Sequence, residues 1–197
     1  MYERKDAFYK KAKREGYRAR SAYKLIELNQ EFRFLRPSMG VVDLGAWPGG
    51  WVQVAAEIVG RSGKVVGIDL VALEPFPFPQ VTLLHGDATD PVQQERILTA
   101  LGGPAEVLLS DMAPKLSGIK EVDEVRSMEL CRLALASATT LLRPGGALLL
   151  KVFMGSEYKA FLAEVRALFS AVKTTKPESS RKGSAETYVF AAGLKKG

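Results

Sequence analysis

Asp43-Leu44-Gly45-Ala46-Trp47-Pro48-Gly49-Gly50-Trp51 follows the apolar pair Val41-Val42 and leads into a helical pattern. A short buried strand, a glycine-rich turn and a helix N-terminus place backbone N–H groups at one end of a parallel sheet, where a nucleotide-like ligand docks. The turn is not G-x-G-x-x-G, because the second glycine of the dinucleotide fingerprint is missing. An acidic residue ends the strand, a glycine follows two positions later, and a Pro-Gly-Gly corner closes the turn. This pattern suits a ligand with hydroxyls and an amino-acid tail better than a pyrophosphate, and it points to S-adenosylmethionine.

Outward from the loop, apolar periodicity alternates between strands and helices. Strands are expected at Val41–Leu44, Lys64–Leu70, Val81–Leu84, Glu106–Leu109, Ala147–Phe153, Val172–Thr175 and Thr187–Ala192. Helices are expected from Ser21 to about Phe34, then at Trp51–Val59, Pro91–Leu101, Asp123–Leu142 and Ser156–Phe169. Glu74-Pro75-Phe76-Pro77-Phe78-Pro79 cannot be helical. Lys115–Val122 reads as a loop, Arg143-Pro144-Gly145-Gly146 as a turn, and Pro177–Ala185 as a polar loop. The expected fold is α/β, a doubly wound, mainly parallel sheet with helices on both faces, Rossmann-like. Residues 1–197 form a single domain in this reading, with 1–36 a basic N-terminal extension.

Composition bounds the function classes. The 197 residues suffice for one core without metal or disulfide support. A single cysteine, Cys131, excludes an intramolecular disulfide and fits a reducing cytosol. The start lacks the apolar core of a secretory signal, and no apolar run reaches the roughly 18 residues of a membrane span. We therefore expect a cytoplasmic monomer with no membrane partner. The net charge of +6 is concentrated near the start, where Lys5, Lys10, Lys11, Lys13, Arg14, Arg18, Arg20 and Lys24 interleave with Tyr9, Tyr17 and Tyr23. Cations for phosphates and aromatics for base stacking suggest an RNA-binding surface. A solvated basic helix is the plainer alternative.

Ligands of open parallel sheets bind beyond the carboxyl ends of the strands. Asp43, Gly45, Asp69 and Asp87 stand there in this reading. Asp69 is placed to accept from ribose hydroxyls, and Asp87 from the exocyclic amine of adenine. A nicotinamide dehydrogenase would also carry the equivalent of Asp69, but it would need the missing glycine and room for a substrate domain. Lys151 ends the apolar run Ala147-Leu148-Leu149-Leu150, where a lone ammonium would be costly to bury. Its stem could pack while its head reaches water. Asp111, ending the preceding strand, favours a paired site instead. His85 reads as a strand-end surface residue and Cys131 as a buried small hydrophobe; one His and one Cys make no metal site.

Arg20-Ser21-Ala22-Tyr23-Lys24-Leu25, Asp43–Trp51, Ser110-Asp111-Met112-Ala113-Pro114, Leu150-Lys151-Val152-Phe153 and Ser184-Ala185-Glu186-Thr187-Tyr188 together carry a resemblance. Over essentially its whole length, the chain resembles the FtsJ-type (RrmJ-like) family of RNA ribose 2′-O-methyltransferases. The resemblance implies a catalytic tetrad at Lys24, Asp111, Lys151 and Glu186, with Lys151 as proton acceptor. It also implies contacts to S-adenosyl-L-methionine at Gly49, Trp51, Asp69, Asp87 and Asp111, and no metal. The implied acceptor is a uridine ribose in the A-loop of large-subunit ribosomal RNA, presented by the assembled subunit. A tRNA anticodon-loop methyltransferase and a non-catalytic RNA-binding module are the alternatives. Trp47 departs from the family, which usually has a small residue there; it could narrow the pocket mouth or pack on a neighbouring helix.

A ribose 2′-hydroxyl is a poor nucleophile until its proton is removed or shared, which is the work expected of Lys151. Methyl transfer from a sulfonium is an in-line displacement, so alignment is a large part of the catalysis.

Overall fold

The structure is a computed structural model that describes residues 7–115, 117–181 and 183–196. In chain order the elements are α1 (Ala7–Glu15), α2 (Ala22–Phe32), β1 (Gly40–Leu44), α3 (Gly50–Val59), β2 (Lys64–Asp69), β3 (Val81–His85) and α4 (Pro91–Leu101). They continue as β4 (Ala105–Ser110), α5 (Lys120–Leu141), β5 (Leu142–Phe153), α6 (Tyr158–Leu168), β6 (Phe169–Thr175) and β7 (Glu186–Leu194). The seven strands form one sheet in the order β3-β2-β1-β4-β5-β7-β6, parallel except for β7, which runs antiparallel to both its neighbours. This is the expected doubly wound architecture. Among the described residues no helix is long and apolar enough to cross a membrane.

The period-2 alternation of a strand divides the core into two layers. Val42, Leu44, Val66, Ile68, Leu108, Leu148 and Leu150 face the layer holding α4, α5 and α6, with Ile97, Leu141 and Phe161. Val41, Val65, Val107, Leu109 and Leu149 face the other layer, with Leu25 and Leu28 of α2 and Val52, Ala55 and Val59 of α3. Each of these side chains is at most 1% exposed, as a central parallel sheet requires.

This alternation also positions the site. Asp43 continues the row of Val41, Asp111 that of Val107 and Leu109, and Lys151 that of Leu149. Lys151 pairs across the sheet with Tyr188, and Glu186 lies two residues from Tyr188 on the same strand. The polar groups therefore gather on the α2–α3 face at the carboxyl ends of the parallel strands.

Two expectations about local structure need correction. The helix expected by Ser21 is α2, and a separate helix that the sequence reading did not single out, α1, precedes it over Ala7–Glu15. Ala12 is buried there, Tyr17 donates its backbone N–H to the Ala12 carbonyl at 2.9 Å, and Gly16 at φ +79° lets the chain turn away. Arg143–Gly146, read as a turn, belongs to β5. Ala105 pairs with Leu142 but Val107 with Ala147, so this stretch is a bulge within the strand pairing.

Candidate active site

A cavity of about 510 Å³ opens at the strand ends, lined among others by Gly45, Trp47, Asp69, Leu70, Asp87, Asp111 and Met112. That size is ordinary for a small-molecule site. Gly45 forms its floor at φ +73°, and a Cβ there would lie 2.2 Å from Met112 Cγ. Asp69 braces the loop: Oδ2 accepts from Trp47 N at 2.9 Å and Oδ1 from Val71 N at 2.8 Å. Asp87 Oδ1 accepts from the Thr89 backbone N–H at 2.8 Å and its hydroxyl at 2.7 Å. The Thr89 backbone bond, with the hydroxyl bond, holds the Asp87 carboxyl below its ordinary range.

A smaller cavity beside the first is lined by Ser21, Asp43, Gly45, Trp47, Trp51 and Asp111. Asp43 is 1% exposed, and its Oδ2 has no hydrogen-bond partner. Burial, with the carboxylates of Asp111 and Asp69, pushes its carboxyl well above the usual range. An orphaned acid among acids is a site made for a cation. Sequence reasoning put Asp43 at a strand end without foreseeing its isolation; the signal was its place one step inside the strand, where no turn N–H reaches it.

Lys151 is 8% exposed, and its head does not reach out to water. Its Nζ donates to the Asp111 carbonyl at 2.6 Å and lies 3.1 Å from Asp111 Oδ1. Tyr188 OH donates to the same Oδ1 at 2.7 Å. Burial and the adjacent carboxylates raise the Tyr188 hydroxyl well above its ordinary value, so it remains a donor. Tyr188 carries no signal of its own in the sequence beyond its motif; its parity with Glu186 on one strand is the available clue.

Lys24 Nζ and Glu186 Oε1 form a second pair at 2.7 Å, with side chains 10% and 11% exposed. Burial alone would raise the Glu186 carboxyl, but the Lys24 hydrogen bond and charge, with Ser180 and Lys151, hold it below its ordinary value. Both residues line a third pocket with Arg20, Ser21 and Arg181. The four expected tetrad residues thus form two ion pairs on one face of the sheet.

The expected cofactor contacts divide. Asp69, Asp87 and Asp111 line the large cavity. Trp51 lines the smaller one but is 3% exposed, its indole N–H donates to the Ser21 carbonyl at 2.9 Å, and its ring packs on Tyr188. Gly49, at φ +109°, lies beneath the β2–β3 linker, where a Cβ would come within 2.6 Å of Phe76 Cζ. Arg18 lies over that same Phe76 ring at 3.4 Å and donates to the Glu74 and Pro75 carbonyls.

Residues 17–194 match the FtsJ-like methyltransferase family. The chain belongs to that family. A ribosomal RNA large subunit methyltransferase E of Methanobrevibacter smithii is 45% identical over 99% of this chain and 93% of its own length. The protein of that description from Methanothrix thermoacetophila is 51% identical, covering 98% of this chain and 74% of its own. A crystal structure described as a ribosomal RNA methyltransferase, from Plasmodium falciparum, superposes with a TM-score of 0.77 at 29% identity, covering 90% of this chain and 98% of its own. The Aeropyrum pernix fibrillarin, solved with natively bound S-adenosyl-L-methionine, shares the fold at a TM-score of 0.57 and 14% identity, covering 81% of this chain and 68% of its own.

In this FtsJ-like methyltransferase the N-terminal aromatics do not all serve as stacking surfaces. Tyr23 is 5% exposed, and its hydroxyl donates to Glu15 at 2.7 Å. Tyr17 packs edge-on to Tyr23 and donates to Glu57 at 3.1 Å. Arg20 is bound to the Ser179 carbonyl. Tyr17 and Tyr23 thus serve the packing of α1 and α2 on the domain, while Tyr9 is exposed. Lys5 lies outside the described residues. Cys131 is buried, and burial pushes its thiol up to about 12, so it is no nucleophile at neutral pH. His85 is an exposed strand end, with Nε2 3.0 Å from the Leu70 carbonyl.

Proposed function

We propose that this chain transfers a methyl group from S-adenosyl-L-methionine to the 2′-hydroxyl of a uridine ribose in large-subunit ribosomal RNA, in the A-loop of the assembled subunit. The observation that carries this reading is the Lys151–Asp111 pair, whose Asp111 lines both the large cavity and the smaller one. The full-length likeness to proteins described as ribosomal RNA large subunit methyltransferase E supports the RNA class.

The residues fit the cofactor. S-Adenosyl-L-methionine carries an ammonium and a sulfonium, and when bound it supplies an electrophilic methyl group on sulfur. Asp43, with its unpartnered oxygen, and Asp111 would hold the cationic end. Asp69 and Asp87 would hold the adenosine hydroxyls and amine; each already accepts backbone bonds that fix its direction.

Lys151 Nζ, as the neutral amine, would take the proton of the 2′-hydroxyl as the oxygen–methyl bond forms and the methyl–sulfur bond breaks, the sulfur leaving as a neutral thioether. The ammonium so formed is met by Asp111 Oδ1 and the Asp111 carbonyl. Tyr188 holds the Asp111 carboxylate in place from the other side. Lys24, tied to Glu186, orients the acceptor hydroxyl or its phosphate at the pocket that also contains Arg20 and Arg181. Gly49, the N-cap of α3, and Trp51, in its first turn, would act by holding the shape of the turn beside the smaller cavity.

The test is labelled methyl transfer to large subunits, naked ribosomal RNA and tRNA in parallel, with mapping of the modified nucleoside. We expect a 2′-O-methyluridine in the subunit arm. A methylated base would overturn the reaction, and preferential labelling of tRNA would overturn the substrate.

A further inference from the structure

Trp47 is 57% exposed, whereas Trp51, four residues on, is buried at 3%. None of the aromatic pairs among the described residues includes its ring. Its backbone is nevertheless fixed, because its N–H donates to Asp69 Oδ2 at 2.9 Å. More than half of the indole surface is therefore open to solvent on an anchored loop, and it presents a flat, rigid apolar face to whatever passes.

The position narrows what that is. Trp47, Gly45 and Asp111 line both the large cavity and the smaller one, so the indole marks the border between them. The smaller cavity in turn shares Ser21 with the pocket of Arg20, Lys24, Arg181 and Glu186. The three hollows thus adjoin through shared residues, with Asp69, Asp87 and Asp111 in the first and Arg20, Lys24 and Arg181, beside Glu186, in the last. An RNA strand drawn to those cations by its phosphates, with a ribose at Lys151, passes the indole at the border.

We propose that the Trp47 indole is a stacking platform for a base of the acceptor RNA beside the methylated ribose. This rests on the RNA-methylating reading above. Stacking is sequence-tolerant because every base presents a π-face, so the platform positions the strand without choosing the base.

Trp47 and Trp51 are the only tryptophans, which makes emission a direct probe. The experiment titrates the full chain with single-stranded oligoadenylate, with an abasic ribose-phosphate chain of the same length, and with S-adenosylhomocysteine alone. We expect quenching by oligoadenylate and not by the other two, and loss of the response in Trp47→Phe while RNA affinity is largely kept. Trp47→Ala should weaken RNA binding roughly 5- to 100-fold and raise the RNA KM, leaving the KM for S-adenosyl-L-methionine nearly unchanged. Equal quenching by the abasic chain overturns the proposal. So does quenching by S-adenosylhomocysteine alone with a raised cofactor KM, which would make Trp47 a cover for the cofactor. If quenching follows the expected pattern but no ribose is methylated, the functional reading falls and the platform stands. If ribose methylation proceeds and Trp47→Ala leaves RNA binding and KM unaltered, the platform falls alone.

Discussion

Lys151 and Asp111 meet twice: Nζ donates to the Asp111 backbone carbonyl at 2.6 Å and lies 3.1 Å from its carboxylate. The backbone contact fixes the nitrogen at the end of β4 independently of the carboxylate, which is itself held by Tyr188. A proton acceptor works only from a position defined within a few tenths of an ångström, and two anchors on one residue provide that. Lys151→Met should therefore abolish most of kcat, by about 10²- to 10⁴-fold, because it removes the proton acceptor proposed above. Stability should fall as well, because the partly buried Asp111 carboxylate loses its counter-charge and keeps only the Tyr188 hydroxyl. Single-turnover methyl transfer and urea unfolding measure the two effects, and a variant with normal turnover would remove Lys151 from the mechanism.

Asp43 should trade stability for binding. Its carboxyl is raised by burial and by its acidic neighbours, so the folded state holds a proton that the unfolded chain releases near its ordinary pKa of about 4. The destabilisation therefore grows as pH rises from that value toward the raised folded one. Asp43→Asn removes it, so the ligand-free variant should unfold at higher urea than the parent at neutral pH, while its affinity for S-adenosyl-L-methionine drops. A cationic ligand also favours the ionised carboxyl, so binding should release protons. Calorimetry in two buffers of different ionisation enthalpy reads that release, and Asp43→Asn should lose it.

The sheet and the face on which the site lies were legible in the sequence, because strand alternation is local: Val107, Leu109 and Asp111 share a row whatever α2 does. Lys24 and Glu186 could be assigned only by resemblance. They are 162 positions apart in the numbering, and no local pattern brings α2 over β7. Packing also decided the features that were misread. Tyr23 looks like an exposed aromatic in a basic run until Ala22 and Leu25, both 0% exposed, anchor the helix and draw its ring inside. The β5 bulge places a Pro-Gly-Gly stretch, a turn signal in sequence, inside a strand pairing whose register is set by Leu142 and Ala147.

Gly45→Ala should damage the cofactor site more than the fold. At φ +73° an alanine costs about 1–2 kcal/mol, and its Cβ, 2.2 Å from Met112 Cγ, forces that side chain to move. Met112 lines the same cavity, so its displacement changes the cavity's shape. We expect a drop in thermal midpoint of a few degrees, together with a larger loss in S-adenosyl-L-methionine affinity, measured by titration calorimetry. Unchanged cofactor affinity would show that the floor of the site lies elsewhere.

The Lys24–Glu186 pair should set an acid limb of stability. Although burial opposes it, the Lys24 bond and charge leave the Glu186 carboxyl below its unfolded value of about 4.3. A depressed carboxyl contributes its full stability above the unfolded pKa and loses it as pH falls through the lower, folded one. Glu186→Gln keeps the shape but leaves the Lys24 ammonium buried without its counter-charge, so it should cost about 3 kcal/mol at neutral pH. That cost should shrink at low pH, where the parent's own carboxylate is protonated. Lys24→Met in the Glu186→Gln background should recover part of the loss, because the unpaired charge is then gone. Urea unfolding of the parent, the single variant and the double variant at neutral and at acid pH checks this. Equal midpoints for the parent and Glu186→Gln at neutral pH would show that the pair does not stabilise the fold.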